Sequence, residues 1–318
     1  MKLAILFWFY KKPLICKNRL KILRKHNPKI HIYGLYGGNP AQKDIFISQL
    51  TDYLDDCYTF EYNAASYWKW CNGDLLITEW YRQCGQYLPW DSIVIVQWDM
   101  LILAPIEKLF SNLPHGQILL SGVRSIEKEA QGWEWVTAPE KRDKYLQFLS
   151  YIKKHYNYSH DPVFCIFIVV VLSRIFLEKY SKITNPELGF LEYRLPIYAQ
   201  IFGIEIVTNH PFRTYLPGDK ISDTVISVGR QISLKNIVKN LLIPSGARFF
   251  HPYCNYFPVN IERLPNILRN MLVWADLLST AILQFIKRVN QIKKCCKALI
   301  CNMLSKYKIN METFFKKK

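Results

Sequence analysis

The sequence predicts an α/β protein with a mostly parallel central sheet flanked by helices, followed by a basic helical tail. Three observations predict it. Ser92–Val96 and Phe164–Leu172 are apolar runs rich in β-branched residues, without the two-residue alternation of a half-exposed strand. Such runs read as strands covered on both faces, as in the middle of a parallel sheet. Residues 3–36 open the chain as strand, helix and strand, with connections short enough for a parallel crossover. The charge is also uneven: residues 263–318 hold twelve Lys and Arg against two acids, over half of the chain's net +17. The reading is therefore a domain at 1–262 and a basic amphipathic tail at 263–318.

Composition bounds the function. With 318 residues, 50% hydrophobic and 15% aromatic, the chain has the material for a large core and is not a disordered polymer. A charge of +17 implies an anionic partner: nucleic acid, an acidic membrane or a phosphorylated substrate. The nine cysteines are odd in number and form no Cys-x-x-Cys pair. That disfavours a zinc ribbon or a disulfide frame and fits a reducing, cytoplasmic setting. No GxGxxG and no phosphate loop ending in Gly-Lys-Ser/Thr occurs. No stretch reaches the length of a membrane span. Met1–Tyr10 lacks a small-residue cleavage site and runs into Lys11 and Lys12, so it reads as the first strand rather than a signal sequence.

The elements follow in order. Leu3–Tyr10 is a buried strand. Pro13–Lys25 is a helix with Leu14, Ile15, Leu20, Ile22 and Leu23 inward and basic residues outward, stopped by Asn27-Pro28. Lys29–Tyr36 is the second strand, and Gly37-Gly38-Asn39-Pro40 the turn after it. Gln42–Tyr58 has helical spacing at Ile45, Ile47, Leu50 and Leu54. Phe60–Tyr62 is a short strand, and Leu75–Gly85 a helix that Asp74 can cap. Gln117–Val123 is a strand, Ile126–Lys141 a tryptophan-bearing loop, and Asp143–His155 a helix. After the Phe164–Leu172 strand a helix runs through Tyr180. Pro186–Ala199 leads into another helix, Ile204–Thr208 is a strand, His210–Asp219 a loop, and 219–244 a polar strand and helix.

The most informative stretch is Asp91–Phe110, DSIVIVQWDMLILAPIEKLF. Its apolar strand ends abruptly at Gln97-Trp98-Asp99. A second apolar run, Met100–Leu103, and an amphipathic turn, Ile106–Phe110, follow. A carboxylate at the carboxyl end of a central strand sits where open α/β sheets bind ligands. It is costly to desolvate without a cation or hydrogen-bond donors. This segment resembles the metal-binding strand of GT-A-fold glycosyltransferases, the nucleotide-diphospho-sugar transferases. There a hydrophobic strand ends in Asp-x-Asp, followed by an apolar stretch and a turn ending in Leu-Phe. Asp99 stands at the second acid, and Gln97 replaces the first, keeping a carbonyl oxygen but no charge.

The resemblance implies a GT-A-like sheet and transfer of a sugar from a nucleotide-diphosphate donor to a hydroxyl acceptor, a glycan or a lipid-linked saccharide. It implies Mn²⁺ or Mg²⁺ at Asp99, with His251 as the histidine that follows the core. Tyr10, Lys11 and Tyr36 follow the first two strands and are implied donor contacts, together with Lys69, Asp74, Gln97 and Trp98. Glu192, then Glu187, is the implied general base. A surface pairing of Glu192 with Arg194 is the alternative. Trp133 and Trp135 either stack on an acceptor sugar or pin their loop. The tail, with Leu278, Ile282, Phe285, Ile286 and Val289 at helical spacing, reads as a helix at an anionic membrane interface, or as one packed on the core. Cys295, Cys296 and Cys301 would then be acylation candidates. Peripheral attachment to the inner face of a membrane is therefore expected. Two rivals stand beside this reading. One is a catalytically degenerate GT-A-like protein, suggested by Gln97. The other is a nucleic-acid-binding protein, disfavoured because the basic residues crowd into the tail instead of interleaving with aromatics.

Overall fold

Seven strands form one sheet in the computed structural model of the chain, which describes residues 1–62, 64–208, 210, 212, 225–227 and 230–261, with 271, 273, 274, 278, 281, 282 and 289. Its order is β3-β2-β1-β4-β7-β6-β8. The strands are β1 (Leu3–Phe9), β2 (His31–Tyr36), β3 (Asp56–Thr59), β4 (Ser92–Gln97), β6 (Ile118–Ser125), β7 (Val163–Ser173) and β8 (Ile206–Val207). Strands β1 to β4 are mutually parallel, β8 is parallel to β6, and β7 alone runs antiparallel to both its neighbours. This is the mostly parallel, helix-flanked sheet expected. All seven residues of β1 are buried, as the unbroken apolar run requires.

Helix α1 (Pro13–His26) joins β1 to β2. Proline stands in its first turn, where no N–H bond is lost, and Arg24, Lys25 and His26 oppose the negative end of its dipole. The chain then departs from the expected single helix over 42–58. A turn at Pro40–Gln42 leads into α2 (Lys43–Leu50), and a further turn at Thr51–Tyr53 ends it. The third strand is therefore Asp56–Thr59, not Phe60–Tyr62. The cause is Asp55, whose Oδ2 accepts from Ile32 N–H at 2.6 Å and from Arg24 Nη2 at 2.7 Å. These bonds draw the chain onto the β2 edge before its helical pattern is used up.

Two helices, α3 (Ser66–Cys71) and α4 (Gly73–Gln83), precede β4 where one was expected. After β4 come the short β5 (Leu101–Ile102) and α5 (Ile106–Leu109). The expected loop 126–141 instead holds α6 (Ile126–Glu129) and α7 (Glu134–Thr137), and α8 (Pro139–Tyr156) begins before Asp143. Ser125 caps the first of these, and Pro139 starts the last. The remaining elements are α9 (Arg174–Tyr180), α10 (Leu191–Ile201), α11 (Leu234–Leu241) and β9 (Phe249–Phe250). The strand expected after 219 and most of the 210–219 loop lie outside the described residues. So does nearly all of the tail, including Cys295, Cys296 and Cys301. Among the described residues no helix is long and apolar enough to cross a membrane.

A second, two-stranded sheet decides what stands beside Asp99. Strand β9 pairs antiparallel with β5, Leu101 opposite Phe250 and Ile102 opposite Phe249. Continued backward, that register carries His251 and Pro252 past Met100 and Asp99. Tyr253 N–H closes it by donating to Asp99 O at 2.8 Å. Helix α1 clamps the far side of this segment. Asn18 Nδ2 donates to Phe257 O at 2.8 Å, and Phe257 N–H donates to Asn18 Oδ1 at 3.0 Å. Arg19 Nη2 donates to the carbonyls of Tyr253 and Asn255. Asn18→Ala would strip the side-chain partners from both the N–H and the carbonyl of buried Phe257. The expected loss in urea-unfolding free energy is about 2 kcal/mol; a loss under a few tenths would show that the clamp is not energetically engaged.

Candidate active site

Strand β1 lies between β2 and β4, so the chain leaves it toward one edge of the sheet and later returns on the other side. Such a switch in strand order opens a crevice outside the carboxyl ends of the two central strands. A cleft of about 870 Å³ lies there. Tyr10 and Lys11 enter it from the end of β1, Gln97 and Asp99 from the end of β4, and Gly37-Gly38-Asn39 from the end of β2. Because β7 is antiparallel, its early residues, Ile166–Ile168, reach the same rim. Lys69, Glu192, His251 and Pro252 complete the wall. Thus Tyr10, Lys11, Lys69, Gln97, Asp99, Glu192 and His251, spread over more than 240 positions, face one space.

Four sequence candidates do not line it. Tyr36 is fully buried, its ring against Phe9 and Phe46 and its hydroxyl donating to Asn39 O at 2.9 Å, so it braces the turn from beneath. Trp98 is also buried, with the ammonium groups of Lys11 and Lys12 at 4.9 and 5.6 Å from its ring centre. It supports the rim rather than forming its surface. Glu187 lies outside the lining and accepts from Trp68 Nε1 at 3.3 Å.

Asp74 is buried behind the wall, where neither a ligand contact nor a simple helix cap describes it. Its Oδ1 takes Arg194 Nη2 at 2.6 Å, and its Oδ2 takes Arg194 Nε at 2.8 Å and the Tyr180 hydroxyl. Both side chains of this pair are inaccessible to solvent. Burial works against the guanidinium charge, but Asp74 and Tyr180 outweigh it and raise the Arg194 pKa. Glu192 is consequently not the surface partner of Arg194. Nor do Trp133 and Trp135 offer free faces. Trp135 lies flat on Phe190 at 3.7 Å and is covered on its ring by Lys141 at 4.0 Å, while Trp133 packs on Phe164. They pin the segment to the core.

Three polar atoms of cleft-lining residues are left unsatisfied. Asp99 Oδ1, His251 Nδ1 and Trp8 Nε1 are buried without a hydrogen-bond partner, and all three residues line the cleft. Unpaired buried polar atoms are costly, and groups of them in a native fold call for a ligand, ion or water. Asp99 Oδ1 stands 3.6 Å from His251 Nε2. Burial lowers the His251 pKa, with Asp99 and a bond to the Ser227 backbone pulling the other way, which favours the neutral imidazole whose lone pair can meet a metal. A hard carboxylate oxygen with an imidazole nitrogen suits Mn²⁺ or Mg²⁺ in donor type. Among the described residues no cluster of three or more His, Cys, Asp or Glu accompanies them. An ion there would complete its shell with substrate oxygens and water. Gln97 Nε2 is tied to Phe167 O at 3.1 Å, leaving the carboxamide oxygen as its free end.

Glu192 sits in the first turn of α10. Phe167 N–H donates to its Oε1 at 2.9 Å, fixing the carboxyl at the rim. Burial pushes its pKa up to about 7, against the downward pull of that N–H. Lys69 Nζ donates to Gly38 O at 2.9 Å, and burial lowers its pKa. The glycines here answer to aromatics beneath the loop: a Cβ on Gly37 would come within 2.7 Å of Trp8 Nε1, and one on Gly38 within 2.5 Å of the Tyr36 hydroxyl. Sequence reasoning overlooked Trp8, Asn39, Gln42, Ser66 and Trp70, which also line the cleft. For Trp8 the signal was available: an indole near the carboxyl end of a buried central strand.

No protein family matches the sequence, and no curated protein matches it. Solved structures similar to it include galactosyltransferase LgtC with donor and acceptor sugar analogues, 13% identical over 63% of this chain and 70% of that one, TM-score 0.35. Mouse xyloside xylosyltransferase 1 is 14% identical over 81% of this chain and 100% of its own, TM-score 0.35. A cytidylyltransferase from Leptospira borgpetersenii is 12% identical over 70% and 83%, TM-score 0.35. At these scores the likeness carries no argument about substrate or reaction.

The Asp74–Arg194 pair yields a test of what holds the cleft wall. Removing one partner strands a buried charge, so Arg194→Met and Asp74→Leu are each expected to cost about 3–5 kcal/mol in chemical unfolding. The double variant should cost markedly less than the two summed. Additive losses would mean that the charges are not coupled.

Proposed function

We propose that this chain is a glycosyltransferase that moves a sugar from a nucleotide-diphosphate donor to a hydroxyl acceptor, a glycan or lipid-linked saccharide, with Mn²⁺ or Mg²⁺. One observation carries the reading. The unpartnered Asp99–His251 pair and the raised-pKa carboxyl of Glu192 face the same cleft at the topological switch point of the sheet. That cleft offers one set of groups suited to a diphosphate and another suited to a proton transfer.

Asp99 and His251 would hold the divalent ion, which when bound neutralises charge on the leaving diphosphate. Lys69 and Lys11 bring positive charge to the same wall, and Trp8 Nε1–H is a donor awaiting an acceptor. Tyr10 and Asn39, at the ends of β1 and β2, are suited to the nucleoside. Glu192 takes the acceptor hydroxyl proton as the oxygen attacks the anomeric carbon. A carboxyl with a pKa near 7 is a stronger base than an exposed glutamate and is about half ionised at neutral pH. The basic tail is proposed as a peripheral contact with an anionic membrane on its cytoplasmic side. In support, Met271, Trp274, Leu278 and Ile282 recur at helical spacing and are all exposed. The rival reading of a degenerate fold rests on the uncharged Gln97 beside Asp99.

A thermal-shift series with UDP-, GDP- and dTDP-sugars, with and without Mn²⁺, tests the class. A stabilisation needing both nucleotide sugar and metal is expected, and Asp99→Asn should abolish the metal-dependent part. Equal shifts for both proteins, or none, would favour the degenerate reading.

The pH dependence tests Glu192. kcat/KM is expected to rise with pH through an apparent pKa of about 7. In Glu192→Gln that limb should vanish and kcat fall roughly 10²–10⁴-fold. Stability should move the other way. The folded-state pKa lies above the ordinary 4.5, so the native protein holds this proton more tightly than the unfolded chain does. The associated stability is complete below about 4.5 and is lost as pH rises through about 7. The wild-type Tm should therefore fall relative to Glu192→Gln across that window.

A further inference from the structure

We propose that Trp70, extended by Tyr67, is a stacking platform for a sugar ring of the acceptor, a subsite that rests on the transferase reading above. Trp70 lines the cleft yet is 55% exposed, and Tyr67 beside it is 62% exposed. They lie three residues apart on α3, so they share a face, with ring centres 6.0 Å apart and planes inclined by 31°. An exposed pair of large aromatics at a cleft mouth is costly to leave in water and marks a contact surface.

The inner side of Trp70 is held by a rigid stack. Trp135 and Phe190 approach it at 5.7 and 5.9 Å, and these two lie flat on each other at 3.7 Å with Lys141 over the outer ring. The indole is thus fixed before any ligand arrives, which lowers the entropic cost of binding. A pyranose has a face of C–H groups that packs on such a ring, while its hydroxyls stay free for solvent or for Ser66, which also lines the cleft.

The position selects the acceptor over the nucleobase. Phe190, in contact with Trp70, begins the turn whose third residue is Glu192. A ring stacked on this side belongs to the molecule that presents its hydroxyl to Glu192. The nucleoside end lies toward Tyr10 and Asn39. Lys69, the neighbour of Trp70, bonds Gly38 O in the turn that follows β2.

The experiment is saturation-transfer NMR of the full chain with lactose, maltose and cellobiose as probes, on wild type, Trp70→Ala and Trp70→Tyr. At least one disaccharide should bind wild type. Its affinity should fall about tenfold or more in Trp70→Ala and largely return in Trp70→Tyr. No binding to wild type, or undiminished binding to Trp70→Ala, overturns the platform. Because the probes need no donor, this outcome is separate from failure of the transferase reading, which the nucleotide-sugar thermal shifts report. In turnover assays with a bound disaccharide as acceptor, Trp70→Ala should raise the acceptor KM about tenfold relative to the donor KM. A rise in the donor KM instead would assign the indole to the nucleobase and overturn the proposal.

Discussion

The arrangement of the cleft depends on a charge pair that no water reaches. Asp74 on α4 and Arg194 on α10 meet through two nitrogen–oxygen contacts, with Tyr180 and Asn72 taking up further hydrogen-bonding capacity. Desolvating two ions costs several kcal/mol each, and only near-complete pairing and hydrogen bonding recovers it. The two helices therefore have little freedom to slide. Helix α10 bears Glu192 two residues from Arg194, which in a helix turns it toward a different side: Arg194 inward, Glu192 to the rim. Lys69 and Trp70 lie just before Asn72. One buried pair thus fixes where the carboxyl stands relative to Lys69 and Trp70.

The cleft is organised by what is left unsatisfied as much as by what is bonded. Backbone N–H of Phe167 holds Glu192 and Phe167 O holds the Gln97 amide, so one residue of β7 orients two side chains of different chemistry. Asp99 Oδ1, His251 Nδ1 and Trp8 Nε1 are withdrawn from water without such partners. Other buried atoms lack hydrogen-bond partners too, among them Tyr33 Oη, Trp80 Nε1 and Arg19 Nε, but they do not line the cleft. Arg19, whose pKa burial lowers to about 10, is given the carbonyls of Tyr253 and Asn255. On one side of this loop the arginine's terminal nitrogens hold backbone carbonyls, and on the other an acid oxygen faces the cleft without a hydrogen-bond partner.

Local pattern read well where burial is uniform. The unbroken apolar runs of β1, β4 and β7 were legible because both faces of those strands are covered. Asp99 was legible because polarity returns abruptly at a strand end. The pattern failed where a long-range bond overrode it. Helical spacing ran on to Tyr58, but the carboxyl of Asp55 found Ile32 N–H and Arg24, and the chain became strand. The loop predicted over 126–141 has three helical segments because Ser125 and Pro139 act as starts, signals weaker than the missing periodicity. Chain position points to Tyr36 as a ligand contact and to Asp74 as a ligand contact or a helix cap. Both are polar groups spent on the interior, a distinction that composition and spacing do not carry.

By itself the sequence determined the layered α/β architecture, the carboxylate at the end of β4 and the crowding of positive charge after residue 262. These follow from short-range periodicity, chain order and composition. Only the tertiary structure decided that His251 stands 3.6 Å from Asp99, that Arg194 belongs to Asp74 rather than Glu192, and that Trp70 rather than Trp135 keeps an open face. Each of those outcomes turns on a contact between residues more than fifty positions apart. It is made by strand register, helix packing and the cost of burying an unpaired charge, none of which is written in any local stretch of residues.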